Sequence, residues 1–348
     1  MSNSLTLFIP ELLNAPAGLA AFPESELPRL PALLRLLSRA ELKQNELSGY
    51  YPELMRCFGL KETATDFPGG ALTYFMQSGE RDQNWRLRID PVYVQSDLST
   101  IHLLAHEAIN LQQDEAAALV ESLNEHFQQD GWQITVATSH CWYLTAPQKT
   151  RLSTTPLYQA MGENMNAWLP VGDDAGYWHS VLNEIQMLLH QHPVNQVRQE
   201  KGQVSVNSVW LWGSGVLPES VVNDNFQLYT DELIAQGLAM LSSTTSGSLD
   251  EIKKKLSHGD FSSTENDLII DDRLLVRQYG FDINRWFDAL LSLEQEWFVP
   301  LLKALQQKNI DQLEIITGDG RRFGLNRKLL RRWWRRDRNL HHWCESNK

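Results

Sequence analysis

The sequence predicts an α/β protein in two parts: a discontinuous core from about 1–60 and 177–348, with a small α+β unit over about 80–150 inserted into it. Three observations carry this reading. Residues 82–146 run strand, strand, helix, strand pair, the pattern of one helix laid on a small sheet. The apolar runs "LTLFIPELL" and "VWLWGSG" stop at a proline or at glycines, as strands of an open α/β sheet do where they deliver the chain to a ligand-binding edge. A length of 348 residues suits about two domains.

Residues 5–13 form the first strand, ended by Pro10. Leucines at helical spacing after Pro31 predict a helix over about 31–42. The Pro-Gly-Gly of 68–70 marks a connection into the inserted unit. There "NWRLRIDPVYVQ" and "TIHLLAHEAINL" are strands, "QDEAAALVESLNEHFQQDG" is an amphipathic helix closed by Gly131, and "WQITVATSHCWYLTA" is a strand pair. "GYWHSVLNEIQMLLHQHP" follows as a helix stopped by Pro193, with an apolar stripe of Val181, Leu182, Ile185, Leu188 and Leu189. Residues 226–243 and 282–308 are helical by pattern, and the polar stretch between them predicts a mobile loop over 244–270 with one short helix. "LEIITGDGRRFGL" reads as strand, Asp-Gly turn, strand. The tail over 326–343 predicts a helix docked through Trp333 or Trp334, since Leu329, Leu330, Trp333 and Trp334 recur at helical spacing.

Composition narrows the function classes. The net charge is −12, yet residues 321–348 hold ten Lys/Arg against two Asp/Glu, leaving 21 basic and 41 acidic residues elsewhere. Such an acidic body repels nucleic acid and acidic membrane, so contact with either would have to use the tail. No apolar run reaches the ~20 residues of a membrane helix. The first residues show neither a basic region nor a small-residue cleavage site, and three widely spaced cysteines (Cys57, Cys141, Cys344) suit reduced thiols. The expected location is the cytoplasm.

The densest polar patterning lies in "HQHPVNQVRQEKGQVSVNSVWLWGSG". His179, Asn183, Gln186 and His190 share one helical face. His192, Asn195 and Arg198 follow, Asn207 opens the next strand, and Trp212, Gly213 and Gly215 lead into its turn. A guanidinium beside amide and imidazole groups at a loop–strand junction is equipment for gripping a phosphate or carboxylate. The expected ligand-binding set is therefore Asn183, His190, His192, Asn195, Arg198, Asn207, Trp212, Gly213 and Gly215. The alternative is structural: Asn and His satisfy backbone groups and the tryptophans fill the core.

The segment "LNEIQMLLHQHPVNQVRQEKGQVSVNSVWLWGSGVLP" resembles the signature of the RpfE-type regulatory proteins of proteobacteria, as do "FIPELL", "WRLRIDPVYV", "HCWYL" and "DGRRFGL". Residues 192–218 also resemble the archaeal type of cofactor-independent phosphoglycerate mutase, whose His-Pro-(Ile/Val)-Asn run precedes an apolar strand and Gly-x-Gly. The resemblance implies an alkaline-phosphatase-like core. It also implies two metal ions on Asp and His clusters and a serine nucleophile, and here the chain departs from it. The first strand ends in "FIPELLNAP" with Glu11 its only acid, and the late strand ends in "IITGDGRRF" with Asp319 between glycines and no histidine. Adjacent cations need several carboxylates to neutralise them. The expectation is thus no metal, no cofactor and no assigned catalytic residue: a pseudoenzyme that regulates or senses a small anionic ligand, with a protein partner as a further candidate. An active mutase-like phosphotransferase is the competing class, and nucleic-acid binding through the tail the third. His102 and His106 lack a third ligand for a metal, and strand alternation points His140 and Cys141 to opposite faces, which excludes a Cys/His pair.

Overall fold

The computed structural model describes residues 3–345 apart from 17, 46–48, 61–66, 97–100, 106–107, 162–164, 220, 222–225, 259–265 and 276–282. It divides into two compact units, one of Met1–Glu62 with Ser220–Lys348, the other of Thr63–Glu219. Among the described residues no helix is long and apolar enough to cross a membrane.

Strands are β1 (Ser4–Phe8), β2 (Glu41–Gln44), β3 (Trp85–Ser96), β4 (Ile101–Ala105), β5 (Gln133–Thr138), β6 (Cys141–Ala146), β7 (Ser208–Gly215), β8 (Phe226–Tyr229), β9 (Ser246–Gly247), β10 (Asn266–Ile270), β11 (Gln312–Ile316) and β12 (Arg321–Asn326). The first unit holds a seven-stranded sheet in the order β2-β12-β11-β1-β10-β8-β9. From β11 to β9 neighbours run parallel, while β12 and β2 add an antiparallel edge. β1 lies at the centre and buries Leu5, Leu7 and Phe8, as a strand of a parallel sheet covered on both faces must. Helix Pro31–Arg39 buries Leu33, Leu36 and Leu37 in the same core, which also takes Trp286, Leu290, Leu293, Trp297 and Phe298. Its first turn is capped from a distance: the buried Glu294 carboxylate accepts the Ala32 and Leu33 N–H groups at 2.6 and 3.0 Å.

The second unit is antiparallel. β3 pairs with β6 and β4 along one edge and with β7 along the other, and β5 completes the sheet beside β6. Helices Gln113–His126 and Ala175–His190 supply Leu119, Leu123, Val181, Leu182 and Ile185 to its core, where Trp132 and Trp178 stack with centroids 5.1 Å apart.

The mixed α/β class holds, with four corrections to the expected layout. Residues 177–219 pack with the inserted unit and not with the core, because the long strand β3 takes β7 as the partner of its free edge. Pro193 stops one helix and begins another, Pro193–Glu200, since proline suits the first helical position, where no N–H is needed. The stretch 226–243 divides into β8 and a helix, Leu233–Ser242, whose start the Glu232 carboxylate caps. The expected loop 244–270 contains the one short helix foreseen there, Leu249–His258, but that helix buries Leu249, Ile252 and Leu256, and the stretch then ends in β10, an inner strand. Of that stretch, 259–265 lies outside the described residues.

The tail is also corrected. Asn326 caps a single turn, Arg327–Leu330, and a second helix forms only at Leu340–Glu345. Trp333 and Trp334 are 82% and 64% exposed, whereas Leu340 and Trp343, spaced i and i+3, are the buried pair. Arginines crowd 331–338 too closely to leave one continuous apolar face.

Candidate functional site

In an open parallel sheet, ligands sit beyond the carboxyl ends of the strands. In the first unit those ends are rich in acids. β8 runs into Thr230, Asp231 and Glu232, β10 into Asp271, Asp272 and Arg273, and β11 into Thr317, Gly318 and Asp319. Each parallel strand places its last side chains at the same edge of the sheet, so sequence-distant carboxylates gather there.

Most of them are committed to donors of the chain itself. Asp271 is buried and accepts the Arg273 guanidinium, at 2.9 Å from Nε and 2.6 Å from Nη2, and the Trp297 indole N–H at 2.8 Å. Arg273 extends from Asp271 to Glu296, donating to its two oxygens at 3.1 and 2.7 Å, and Lys253 adds a second cation at 2.7 Å. Those donors hold Glu296 down to about 2. Glu232 accepts the Ile234 and Ala235 N–H groups and the Tyr50 hydroxyl, the last at 2.8 Å. On β11's end, Asp319 accepts Thr317 Oγ1 and the Arg321 backbone and guanidinium.

Asp272 differs. Burial first, then the charges of Glu232, Asp271 and Asp231, push its carboxyl up to about 7. Burial and the neighbouring Glu232 likewise push the Tyr50 phenol up. This edge is thus acidic, partly dehydrated and buffered by arginine and lysine. No group of three or more His, Cys, Asp or Glu among the described residues has the arrangement of a metal site.

The residues singled out in the sequence lie in the other unit, and the structure corrects the expected pocket. Arg198, 1% exposed, donates to Glu115 Oε2 at 2.5 Å, to the Val204 carbonyl at 2.8 Å and to the Ile109 carbonyl. It pins helix Pro193–Glu200 to helix Gln113–His126 with no fork turned to solvent. Asn195 is buried as well, donating to the Leu189 and Val206 carbonyls and accepting the Val206 N–H. His192 Nδ1 accepts Val194 N–H as a helix cap while Nε2 meets Ser122 Oγ at 3.0 Å. Asn207 pairs with both backbone groups of Val94 on β3. Asn183 and His190 are exposed on the helix before them. These side chains are satisfied separately by backbone and neighbours, so they do not converge on one anion.

Trp212 joins a different network. Its indole N–H donates to Asp90 Oδ2 at 2.7 Å, and Asp90 Oδ1 accepts Arg88 Nε at 2.9 Å, all three residues being buried. Tyr143 donates to Gln77 Oε1 at 2.6 Å, and Cys141 Sγ sits 3.2 Å from the Tyr143 hydroxyl. Burial pushes both the Cys141 thiol and the Tyr143 phenol up. A cavity of about 420 Å³ opens beside them, lined by Tyr74, Gln77, Ser78, Thr135, Ala137 and Tyr143. Gly213 and Gly215 serve close packing. Gly213 adopts φ 68°, and a Cβ there would meet Gly70 N at 2.9 Å. Gly70 in turn abuts Leu87 so closely that a Cβ would lie 2.7 Å from its Cα. The Pro-Gly-Gly and Gly-Ser-Gly motifs therefore face each other across a backbone contact. His102 lies on β4, and His106 falls outside the described residues. His140 and Cys141 have separate partners, Ser139 Oγ and Tyr143.

The strand-edge acids do not stand out in the sequence because "LII" closes the predicted loop over 244–270, just before Asp271 and Asp272, and "FQLYTDE" opens a predicted helix over 226–243. The available signal was a short apolar run followed at once by paired acids, in two places.

Comparison with known proteins gives a partial likeness. Residues 80–195 match the family model of 2,3-bisphosphoglycerate-independent phosphoglycerate mutase. That match falls within the second unit and reaches only the beginning of the 192–218 segment on which the sequence resemblance rests. The 2,3-bisphosphoglycerate-independent phosphoglycerate mutase of Methanosarcina mazei is 28% identical over 116 residues, 33% of this chain and 29% of that protein. The enzyme of the same name from Methanothrix thermoacetophila is 39% identical over 64 residues, 18% of this chain and 16% of that protein. The chain thus spans less than a third of the length of these relatives. Among solved structures, the PH0037 protein from Pyrococcus horikoshii superposes with a TM-score of 0.56 at 11% identity, covering 94% of this chain and 88% of that one. The fold is shared along nearly the whole chain, and the similarity to phosphoglycerate mutase is distant.

Proposed function

We propose that this chain is a regulatory protein of RpfE type, built on a phosphoglycerate mutase-like scaffold, that recognises a small anionic ligand and does not carry out two-metal phosphotransfer. The observation that supports this most is the commitment of the strand-edge acids. Asp271, Glu296 and Glu232 accept from Arg273, Lys253, Trp297, Tyr50 and backbone N–H groups. A protein-borne guanidinium and ammonium neutralise the charge that divalent ions would otherwise balance. A pair of divalent ions would need those oxygens free, together with further oxygen or imidazole ligands, and the donor set as it stands does not fit them.

A second reading, an active mutase-like phosphotransferase, draws on Asp231, Glu232, Asp271 and Asp272 collecting at one edge. One assay separates the two. Purified full-length protein is incubated with 3-phosphoglycerate and manganese, and 2-phosphoglycerate is followed by coupling. The proposal expects no turnover above the uncatalysed rate; turnover that a chelator abolishes would establish the enzyme.

A further inference from the structure

A second feature of the first unit has no role in the strand-edge site. Between the end of helix Pro31–Arg39, strand β2 and the C-terminal tail lies a cavity of about 850 Å³. Its wall includes Arg335, Arg336, Arg338, His342 and Trp343, together with Arg321 and the acid Glu41. This volume suits a small molecule, toward the upper end of the usual range of ligand pockets.

The tail that builds the wall is fixed in place. Arg335 Nη1 donates to the Ala40 carbonyl at 2.9 Å, the Arg338 N–H donates to Ser38 Oγ at 2.9 Å, and Arg39 donates to the Arg332 carbonyl. The buried Arg321, also in the lining, donates to the Trp343 carbonyl at 2.7 Å and pairs with Asp319. Arg338 lies 5.9 Å from the centre of the Trp343 ring. Nearby acids are already engaged: Glu41 with Arg332 at 3.0 Å, and Asp337 with Arg39 at 3.1 Å and with Arg35. Among the described residues, Arg335, Arg336 and Arg338 have no carboxylate partner, and Arg336 has no hydrogen bond at all. Three guanidinium groups thus line one cavity whose acid, Glu41, is already paired with Arg332, and of the three Arg336 is the one with neither a carbonyl nor, as Arg338 has in His342 Nε2, an imidazole partner among the described residues.

We infer that this cavity binds a small ligand carrying two or more phosphate groups, held by Arg335, Arg336 and Arg338. Three forks exceed what one carboxylate can satisfy, and phosphate oxygens match guanidinium geometry. The inference rests on the anion-recognition half of the proposed function and gives it a location. The same chemistry is offered by free polyphosphate and by a nucleotide.

The test is calorimetric titration of the full-length protein at low salt with sodium tripolyphosphate, with ATP, and with a single-stranded oligothymidylate. The variants are Arg336→Ala, the double variant Arg335→Ala/Arg336→Ala, and Arg331→Ala as a basic residue outside the cavity wall. Saturable binding of one tripolyphosphate is expected, weakened about tenfold by Arg336→Ala and further by the double variant. Arg331→Ala should bind as the unaltered chain does. ATP bound more tightly than tripolyphosphate identifies a nucleotide; equal affinities identify the phosphates alone. Arg336→Ala and Arg331→Ala replace exposed side chains and should melt as the parent does, whereas the double variant also removes the Arg335 bond to the Ala40 carbonyl and is compared at a temperature well below its own melting point. No saturable tripolyphosphate binding would overturn the inference, as would equal losses in Arg331→Ala and Arg336→Ala. So would a preference for the oligonucleotide that depends on Trp333 and Trp334. Mutase turnover, measured on the same samples, bears on the proposed function alone, because Glu41 is the acid lining the cavity and none of Asp231, Glu232, Asp271 and Asp272 lines it.

Discussion

Replacing Arg198 by alanine should destabilise the second unit severely. The guanidinium is buried and holds Glu115 at 2.5 Å, along with the Val204 and Ile109 carbonyls. Removing it leaves two inward-facing carbonyls without that donor and Glu115 without its cation, at only 18% side-chain exposure. Breaking one partner out of a buried pair costs about 3–5 kcal/mol. Glu115 keeps one backbone partner, the Gln112 N–H at 2.9 Å, which places the expected loss toward the lower figure. For a domain of this size each kcal/mol lowers the melting temperature by about 2–4 °C, so a drop of about 6–12 °C is expected. The assay is urea unfolding followed by tryptophan fluorescence, with Glu115→Gln and the double variant closing a cycle. Asn183→Ala, an exposed change on a neighbouring helix, serves as the control and should stay within about 0.5 kcal/mol. An Arg198→Ala protein that unfolds within about 1 kcal/mol of the parent, yet loses affinity for an anion, would refute the bracing role and restore a ligand role.

Other outcomes follow from the same contacts. Asp272 is held up to about 7, above the 3.8 of an unperturbed carboxyl, so the folded state binds the extra proton. Its contribution is full below about pH 4 and is lost as pH rises through about 7; Asp272→Asn should flatten that fall and stabilise the protein by a few kcal/mol above pH 7 in pH-dependent urea unfolding. Glu296 works in the opposite sense: held down to about 2, it contributes fully above its ordinary 4.5 and loses that contribution as pH falls toward 2, a dependence that Glu296→Gln should remove. In the tail, Trp343→Ala should cost about 3–5 kcal/mol, because it is buried and meets Phe323 edge-on at 5.5 Å. Trp333→Ala and Trp334→Ala should leave thermal melting unchanged; a large loss from either would contradict their exposure.

Much of the fold was legible because period and punctuation are local. The alternation in "WRLRID" and "QITVAT", the helix from Gln113 and the glycine-turned strands β11 and β12 all formed where the residues indicate. What escaped was decided by partners far along the chain. Nothing near Ser208–Gly215 says that β3 has an open edge, so the unit to which β7 belongs could not be read from it. Likewise "NDLII" is too short to stand out, and only the two parallel neighbours, β1 and β8, make it an inner strand. The candidate site shows the same limit. Arg198 beside amides is suitable equipment for an anion, but equally suitable for capping carbonyls, and burial decides between them. Tyr50, Glu232 and Asp272 come from three separate segments that meet only at the sheet edge.

The central claim is that Asp271 at the strand edge and Glu296 beside it are neutralised from within the chain. Calorimetric titration of chelator-treated protein with manganese tests it most directly, with Arg273→Ala as the partner variant. The account predicts no saturable manganese binding to the unaltered chain, because Arg273 and Lys253 already occupy Asp271 and Glu296. Two saturable sites per chain, lost in an Asp271→Asn variant, would contradict it.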